Sequence, residues 1–319
     1  MRALITGAAG MYGTALIRRL LDGQPEVSII AVDDFSRNFP GENPLAAISH
    51  EGWAIEVVQR DYAELTTDEL ERWSPEVVVH FAARISVPES MDDPHGYFQN
   101  NEIGTFRFAH AIAGMANPPL LIYASSPEVY GVPVRVPMSE DHPLHPVTVY
   151  AATKAASEMH CMALHRWWGH PVVVIRNFNT FGPHQNIDGH AAVLVTFARR
   201  ALLGEPLQLE NGGHQTRDFM FVEDAVDAYV RVIEKGKVLA GSTFNIGTGQ
   251  ETSIREVAQT VVSLSKSASE IVDVPGRPAD LPALCADASR IRAVTGWVPR
   301  TPFEDGVRRT LEWLRAIDQ

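Results

Sequence analysis

The chain has 319 residues, 45% hydrophobic and 21% charged, the composition of a soluble globule with a sizeable core and room for one large domain or two ordinary ones. Lysine and arginine total 27 against 39 aspartates and glutamates, a formal net charge of -12, which argues against a nucleic-acid or anionic-membrane partner and requires locally placed arginines for any anionic ligand. Two cysteines, Cys161 and Cys285, show no CxxC and no metal-ligand spacing and read as reduced core thiols; no apolar run approaches the roughly 20 residues of a membrane span, the chain opens directly into a strand, and the expected location is the cytoplasm.

Residues 2 to 33 read as strand, turn, helix, strand. Ala3, Leu4 and Ile5 lie in the first strand, Leu16, Ile17, Leu20 and Leu21 fall on one helix face, and Val27 to Val32 form the second strand. Between the first strand and the helix stands Gly7-Ala-Ala-Gly10-Met11-Tyr12-Gly13. Glycine serves three needs there: a tight turn, close approach of backbone N–H groups to a pyrophosphate, and close packing of helix on sheet. The spacing is GxxGxxG, and Asp33 follows 20 positions after Gly13 at the end of the second strand, so the segment reads as a dinucleotide site. A carboxylate at 33 accepts hydrogen bonds from the adenosine ribose and repels a 2′-phosphate, which favours NAD over NADP. Arg37, close by, argues the other way.

A third strand, Ala54 to Val58, ends at Asp61-Tyr62, where a carboxylate could reach the adenine amino group or stand in water. A fourth, Val77 to Phe81, leads into Ala82-Ala83, whose small side chains let the backbone lie against a cofactor; His80 reads as a packed core histidine. A long helix, about Pro94 to Met115, carries Asn101 and Gly104-Thr105. The fifth strand, Leu120 to Ala124, delivers Ser125-Ser126-Pro127-Glu128-Val129-Tyr130-Gly131, and Pro127 stops the ladder. Two hydroxyls and a carboxylate thereby stand at the carboxyl end of a parallel strand, where ligands bind in open α/β sheets.

Tyr150-Ala-Ala-Thr-Lys154 follows. Positions i and i+4 share a helix face, so phenol and ammonium point into one space. A tyrosine in water titrates near 10, and a neighbouring lysine cation stabilises the phenolate. Alone, the spacing equally describes an ordinary surface pair; its neighbours give it weight. A sixth strand, Val172 to Arg176, runs into Asn177-Phe178-Asn179 and stops at Gly182-Pro183. Strands alternating with helices this far predict an α/β fold with a doubly wound parallel (Rossmann) sheet.

Beyond this point come a helix from Ala192 to Leu203, a strand at Gln208 to Glu210, a Gly212-Gly213 turn and an extended Thr216-Arg217-Asp218-Phe219. A helix over Val222 to Glu234 returns the chain to Phe244-Asn245-Ile246-Gly247, expected to be the last strand of the main sheet. Ser253 and Glu256 form a capping box, Arg277 to Asp280 lies in a loop, and two short helices end near Ile317. The pattern divides the chain into an NAD-binding domain, 1–177 plus about 217–247, and a smaller discontinuous substrate domain, about 178–216 plus 248–319.

The order of these residues resembles the extended short-chain dehydrogenase/reductase superfamily, and within it the nucleotide-sugar epimerases and dehydratases, over nearly the whole chain. The matching motifs are Thr6-Gly7-x-x-Gly10-x-x-Gly13, Asp33, Asp61, His80-Phe81-Ala82-Ala83, Asn101-x-x-Gly104-Thr105, Ser125-Ser126, Val129-Tyr130-Gly131 and Tyr150-x-x-x-Lys154. They continue through Arg176-x-Phe178-Asn179, Gly182-Pro183, Thr216-Arg217-Asp218-Phe219, Asn245-x-Gly247 and Arg277-Pro-x-Asp280. The resemblance implies NAD held by Gly7, Gly10, Met11, Tyr12, Gly13, Asp33, Asp61, Tyr62, Phe81, Ala82, Ala83, Asn101, Tyr150, Lys154, Asn177 and Phe178. It further implies that Ser126 hydrogen-bonds a substrate hydroxyl and that Tyr150 takes its proton as hydride leaves the sugar carbon. Lys154 would bind the nicotinamide ribose and keep the Tyr150 pKa low. On the substrate side it implies Ser125, Asn179, Arg217, Arg277 and Asp280, with Asn179 and the arginines at the diphosphate. The helices around 95–115 and 150–168 resemble those that pair two subunits, which implies a homodimer.

Members of this group oxidise the sugar, usually at C4. Returning the hydride to the other face epimerises it; removal of the C5 proton lets water leave from C6; a carboxylate at C6 leaves as carbon dioxide. The stretch from His80 to Ser90, with Glu89-Ser90, is similar to UDP-galactose 4-epimerases. Glu128 stands where dehydratases and some decarboxylases carry a catalytic glutamate, or else is a loop carboxylate that shapes the turn. Pro127, in the place of the dehydratase general acid, has no proton to donate. The expectation is an NAD-dependent nucleotide-sugar 4-epimerase acting on a UDP-sugar. The alternatives are a decarboxylase or dehydratase using Glu128, a net dehydrogenase, and a non-catalytic NAD-binding protein. Val195, where relatives often have proline, lies in the segment from Gln185 expected to meet the sugar.

Overall fold

The computed structural model describes residues 1–23, 26–36, 43–50, 53–187, 192–276 and 281–317. Seven short runs rich in valine, isoleucine and alanine make one parallel sheet: β1 (Arg2–Thr6), β2 (Ser28–Asp33), β3 (Ile55–Gln59), β4 (Val77–His80), β5 (Leu120–Ser125), β6 (Val172–Asn177) and β7 (Thr243–Ile246). Their order is β7-β6-β5-β4-β1-β2-β3. Helices cover both faces, so β4 and β5 are buried at every position. That is why these strands read as continuous apolar runs rather than alternating ones. Ile5, Leu16 and Ile17 belong to the core on one face, and Leu4, Val78 and Tyr123 to the core on the other.

After β1 the chain builds β2 and β3 to one side, then returns to lay β4 on the other. A crevice therefore opens at the carboxyl ends of β1 and β4, the topological switch point where ligands bind in such sheets. His80 sits there, buried between the hydroxyls of Thr6 (2.6 Å) and Thr105 (3.1 Å). Burial pushes its pKa down to about 3, so it is a neutral packing residue, as its sequence context predicts.

The helical segment after β4 differs in detail from the uniform helix expected over 94–115. Pro94–Tyr97 and Thr105–Ala113 are α-helical, and Phe98–Gly104 between them is a π-helix. The widened turn carries Asn101, whose amide clasps the backbone N–H and carbonyl of Arg84, each at 2.8 Å; π turns arise where a side chain is aimed at a specific target. A further short helix, Val87–Asp92, starts at Ser86, which caps the N–H of Glu89.

Beyond β6, apart from β7, the strands are short and pair among themselves. Thr180–Phe181 pairs with Met220–Phe221, Leu207–Glu210 with Ile271–Val274, and Thr216–Arg217 lies between Thr252–Ser253 and Ala283–Leu284. The last two strands escape sequence patterning because each is too short to show a period. Both cysteines are buried free thiols. Among the described residues no helix is long and apolar enough to cross a membrane.

Candidate active site

A cleft of about 1160 Å³ runs along the carboxyl ends of the parallel strands to the small sheets. Its floor begins at the glycine turn. Gly7 has φ +65°, and a Cβ there would stand 2.8 Å from the Ala82 nitrogen. A Cβ on Gly13 would lie 2.4 Å from the Gly7 carbonyl oxygen and 2.5 Å from the Ala8 Cα. Gly13 thus lets the helix Met11–Gly23 seat against the turn, while Gly7, Gly10, Met11 and Tyr12 line the cleft. The first N–H groups of a helix have no intrahelical acceptor, and here they open on that cleft, a fit for a pyrophosphate.

Asp33 closes the adenosine side. One oxygen accepts from the Ala9 N–H at 3.0 Å and the other from the Phe35 N–H at 2.8 Å. Burial pushes its pKa up while these two bonds hold it down, and each oxygen keeps a lone pair for a ribose hydroxyl. Asp61 caps the Ala63 N–H at 2.8 Å, and Tyr62 donates its hydroxyl to the Asn100 carbonyl; both line the cleft with Phe81, Ala82 and Ala83. Phe81 stacks on Tyr12 at 5.3 Å. These residues fit NAD. Gly13 and Asn101 are not among the residues that border the cleft: Gly13 seats the helix on the turn, and the Asn101 amide is engaged by Arg84 and by Thr153 at 3.2 Å. Arg37 lies outside the described residues.

The reacting groups converge from two elements. Thr148 caps the Ala151 N–H and starts the helix Val149–Trp168, which presents Tyr150 and Lys154 to the cleft, both buried. Ser125 and Ser126 arrive at the end of β5, where Pro127 opens a 3-10 turn and Ser126 Oγ accepts from the Glu128 N–H at 3.3 Å. Ser125, Ser126 and Glu128 all line the same cleft.

The Tyr150 phenol is pushed above its ordinary value by burial; Ser126 pulls it down and the Glu128 carboxylate raises it. Burial brings the Lys154 pKa down to about 7, and its ammonium lies over the Tyr123 ring, 4.3 Å from the centroid. NAD⁺, when bound, supplies a hydride acceptor and a positively charged ring.

A buried polar network behind Ser125 and Ser126 joins residues of four separate motifs through Glu158, which belongs to none of them. Ser125 Oγ donates to Glu158 at 2.9 Å. Arg176 grips both oxygens of Glu158, one through Nε at 3.1 Å and the other through Nη2. Its Nη1 donates to the Tyr130 hydroxyl at 2.7 Å, which donates to Asn245 Oδ1 at 2.7 Å. One chain of bonds thus ties β5, the Tyr150 helix, β6 and β7 together. The available signals were Glu158 on the Tyr150–Lys154 face, eight and four residues on, and an arginine inside a run of valines.

On the far side, Asn177, Phe178, Asn179 and Arg217 line the cleft. Arg217 is 8% exposed and donates to the carbonyls of Thr216 and Leu281, each at 2.8 Å. Next to it the buried Asp218 accepts from the Thr248, Gly249 and Ala286 N–H groups and so anchors that strand. Asn179 Oδ1, Gln185 Oε1 and Gln215 Oε1 are buried without a hydrogen-bond partner, and all three residues border the cleft, a fit for a polar ligand. Val195 is fully buried and does not border the cleft; its identity bears on helix packing, not on the sugar. Arg277 and Asp280 lie outside the described residues.

A glycine turn against a doubly wound sheet, an acid closing the second strand and a Ser–Tyr–Lys set in one cleft define an NAD-dependent enzyme of the short-chain dehydrogenase/reductase class. Residues 4–310 match the model of the GDP-mannose 4,6 dehydratase family, and the chain belongs to that family. It is 36% identical to a UDP-glucose 4-epimerase of Mycolicibacterium smegmatis over 322 residues, covering 100% of each chain. It is 29% identical to a dTDP-glucose 4,6-dehydratase of Haemophilus influenzae over 98% of this chain and 97% of that one. Its fold matches the crystal structure of a UDP-glucuronic acid 4-epimerase from Bacillus cereus in complex with UDP-glucuronic acid and NAD. There the TM-score is 0.91 and the identity 25%, over 99% of this chain and 100% of the other.

Proposed function

We propose that this enzyme interconverts UDP-sugars at C4 through a transient 4-keto sugar, with NAD as the hydride carrier. The observation that carries the reading is a complete oxidising set, Ser126, Tyr150 and Lys154, in one cleft, beside a position 127 that is a buried proline with no proton to give a leaving hydroxide. Ser126 holds the C4 hydroxyl, Tyr150 removes its proton and later returns one, and Lys154 supplies charge beneath the ribose. Asn179, Arg217 and Arg277 hold the diphosphate, and Asp280 belongs to the rest of the substrate side. The epimerase relatives from Mycolicibacterium smegmatis and Bacillus cereus support this choice.

A division of labour accompanies the reading: residues 1–177 plus about 217–247 carry NAD, and about 178–216 plus 248–319 carry the nucleotide sugar. Incubation with nucleotide-linked hexoses, N-acetylhexosamines and hexuronic acids, without added NAD, tests it by mass spectrometry. An isomer of unchanged mass is expected. Loss of water or carbon dioxide would establish the second reading, a dehydratase or decarboxylase, which the placement of Glu128 on the cleft favours.

Glu128→Gln separates the two readings further. The Glu128 charge raises the Tyr150 pKa, so its removal lowers that pKa. Tyr150 acts as a base above its pKa, so the acid limb of the rate profile moves to lower pH while the plateau persists. A variant that binds NAD and nucleotide yet loses all turnover would make Glu128 a reacting group.

The proposal includes a cytoplasmic homodimer. Phe98, Phe106, Met159 and Trp168 are exposed on the segment 98–113 and on the Tyr150 helix, and Phe106 lies 5.3 Å from His160 across the two. An apolar face of this kind suits a second copy. Phe106→Glu is expected to halve the mass in solution by light scattering; an unchanged mass would place the interface elsewhere.

A further inference from the structure

We propose that Tyr123 is a positioning residue for the reaction, the face of its ring holding Lys154 in place as the ammonium beneath the cleft. Tyr123 lies near the end of β5, 1% exposed, in register with His80 on β4 and Val174 on β6. Its ring lies 4.3 Å from Lys154 Nζ. Lys154 is itself 4% exposed and borders the cleft. Among the described residues no hydrogen bond or ion pair meets the ammonium.

The titratable groups around it are few. Glu158 and Cys161, on its own helix, favour the charged form. Tyr150 is one turn away. His80, from β4, is neutral. Tyr123 supplies an aromatic face, and a ring face attracts a desolvated cation through its quadrupole. With the Lys154 pKa near 7, the two forms are closely balanced, and loss of the ring face shifts that balance toward the neutral amine.

The hydroxyl of Tyr123 faces Ser157, which itself bonds the Asn101 and Thr153 carbonyls, and has no part in holding the ammonium. Phenylalanine at 123 therefore keeps the ring face that matters.

The test reads Lys154 directly and does not depend on which sugar is turned over. The chain has four lysines, Lys154, Lys235, Lys237 and Lys266, so ¹³C-lysine NMR of the NAD-loaded enzyme resolves the titration of Lys154. Tyr123→Leu is expected to lower its midpoint by about one pH unit. Activity needs the charged lysine, so the rate relative to the parent is unchanged well below the midpoint and falls about tenfold above it, as the charged fraction does. Tyr123→Phe is expected to leave both the midpoint and the rate in place. A fluorinated phenylalanine at 123 keeps the shape but drains charge from the ring face; it should behave as leucine does, and it replaces Tyr123→Leu if that variant does not fold. An unmoved Lys154 midpoint in the fluorinated or leucine variant, or an equal shift in Tyr123→Phe, would overturn the proposal. So would a rate loss uniform across pH.

Discussion

Tyr150→Phe should reduce kcat by about a thousandfold, the scale of a lost general acid–base group, while leaving NAD retention and thermal stability near those of the parent. The phenylalanine ring fits the space of the phenol, and Tyr150 is already buried among the walls of the cleft, so little packing changes. The loss belongs to the proton: the hydroxyl that takes it from the sugar as hydride leaves is gone. The bond network through Ser125, Glu158 and Arg176 does not include Tyr150, so the geometry around it should survive. A crystal structure and a single-turnover assay of NADH formation check both halves. Turnover within tenfold of the parent would move the base elsewhere in the cleft.

Glu158→Ala should be the most destabilising single substitution in the site. It strands the guanidinium of Arg176, which is 5% exposed, and it deprives Ser125 of its acceptor. Leaving one member of a buried ion pair costs about 3–5 kcal/mol, read by denaturant unfolding. Paired with Arg176→Met, a Glu158→Leu variant removes both charges together and should recover most of the stability, because two well-packed apolar groups can replace a buried pair at little cost. The rate should not recover with it. Ser125 still lacks its partner, and Lys154 lacks a carboxylate that favours its charge. A double variant that is stable and fully active would reduce the network to scaffolding.

Three placements lie beyond what local sequence patterns show. Asn101 sits in a motif shared with NAD-binding relatives, yet its amide is turned to Arg84 and Thr153. Asn101 lies in the π-helical segment Phe98–Gly104, which no local pattern announces. Lys154, four residues from Tyr150, shares its helix face, but the spacing does not reveal that Tyr123 takes up the ammonium. Val195, in a segment expected to meet the sugar, points into the core because its helix rotates Val193, Leu194 and Thr196 toward the cleft instead.

By itself the sequence determined the order of strands and helices, the parallel sheet, the glycine turn, Asp33, the serine pair and the Tyr150–Lys154 face, because each is carried by neighbours within a few positions of one another. Tertiary structure alone decided which groups face each other across the sheet. Glu158 meets Arg176 and Ser125, Tyr130 meets Asn245 115 residues away, and Tyr123 meets Lys154. Those meetings depend on strand order and register, which place β5 between β4 and β6, and on burial, which removes the water that would otherwise solvate each charge and so sets the strength and protonation of every contact made there.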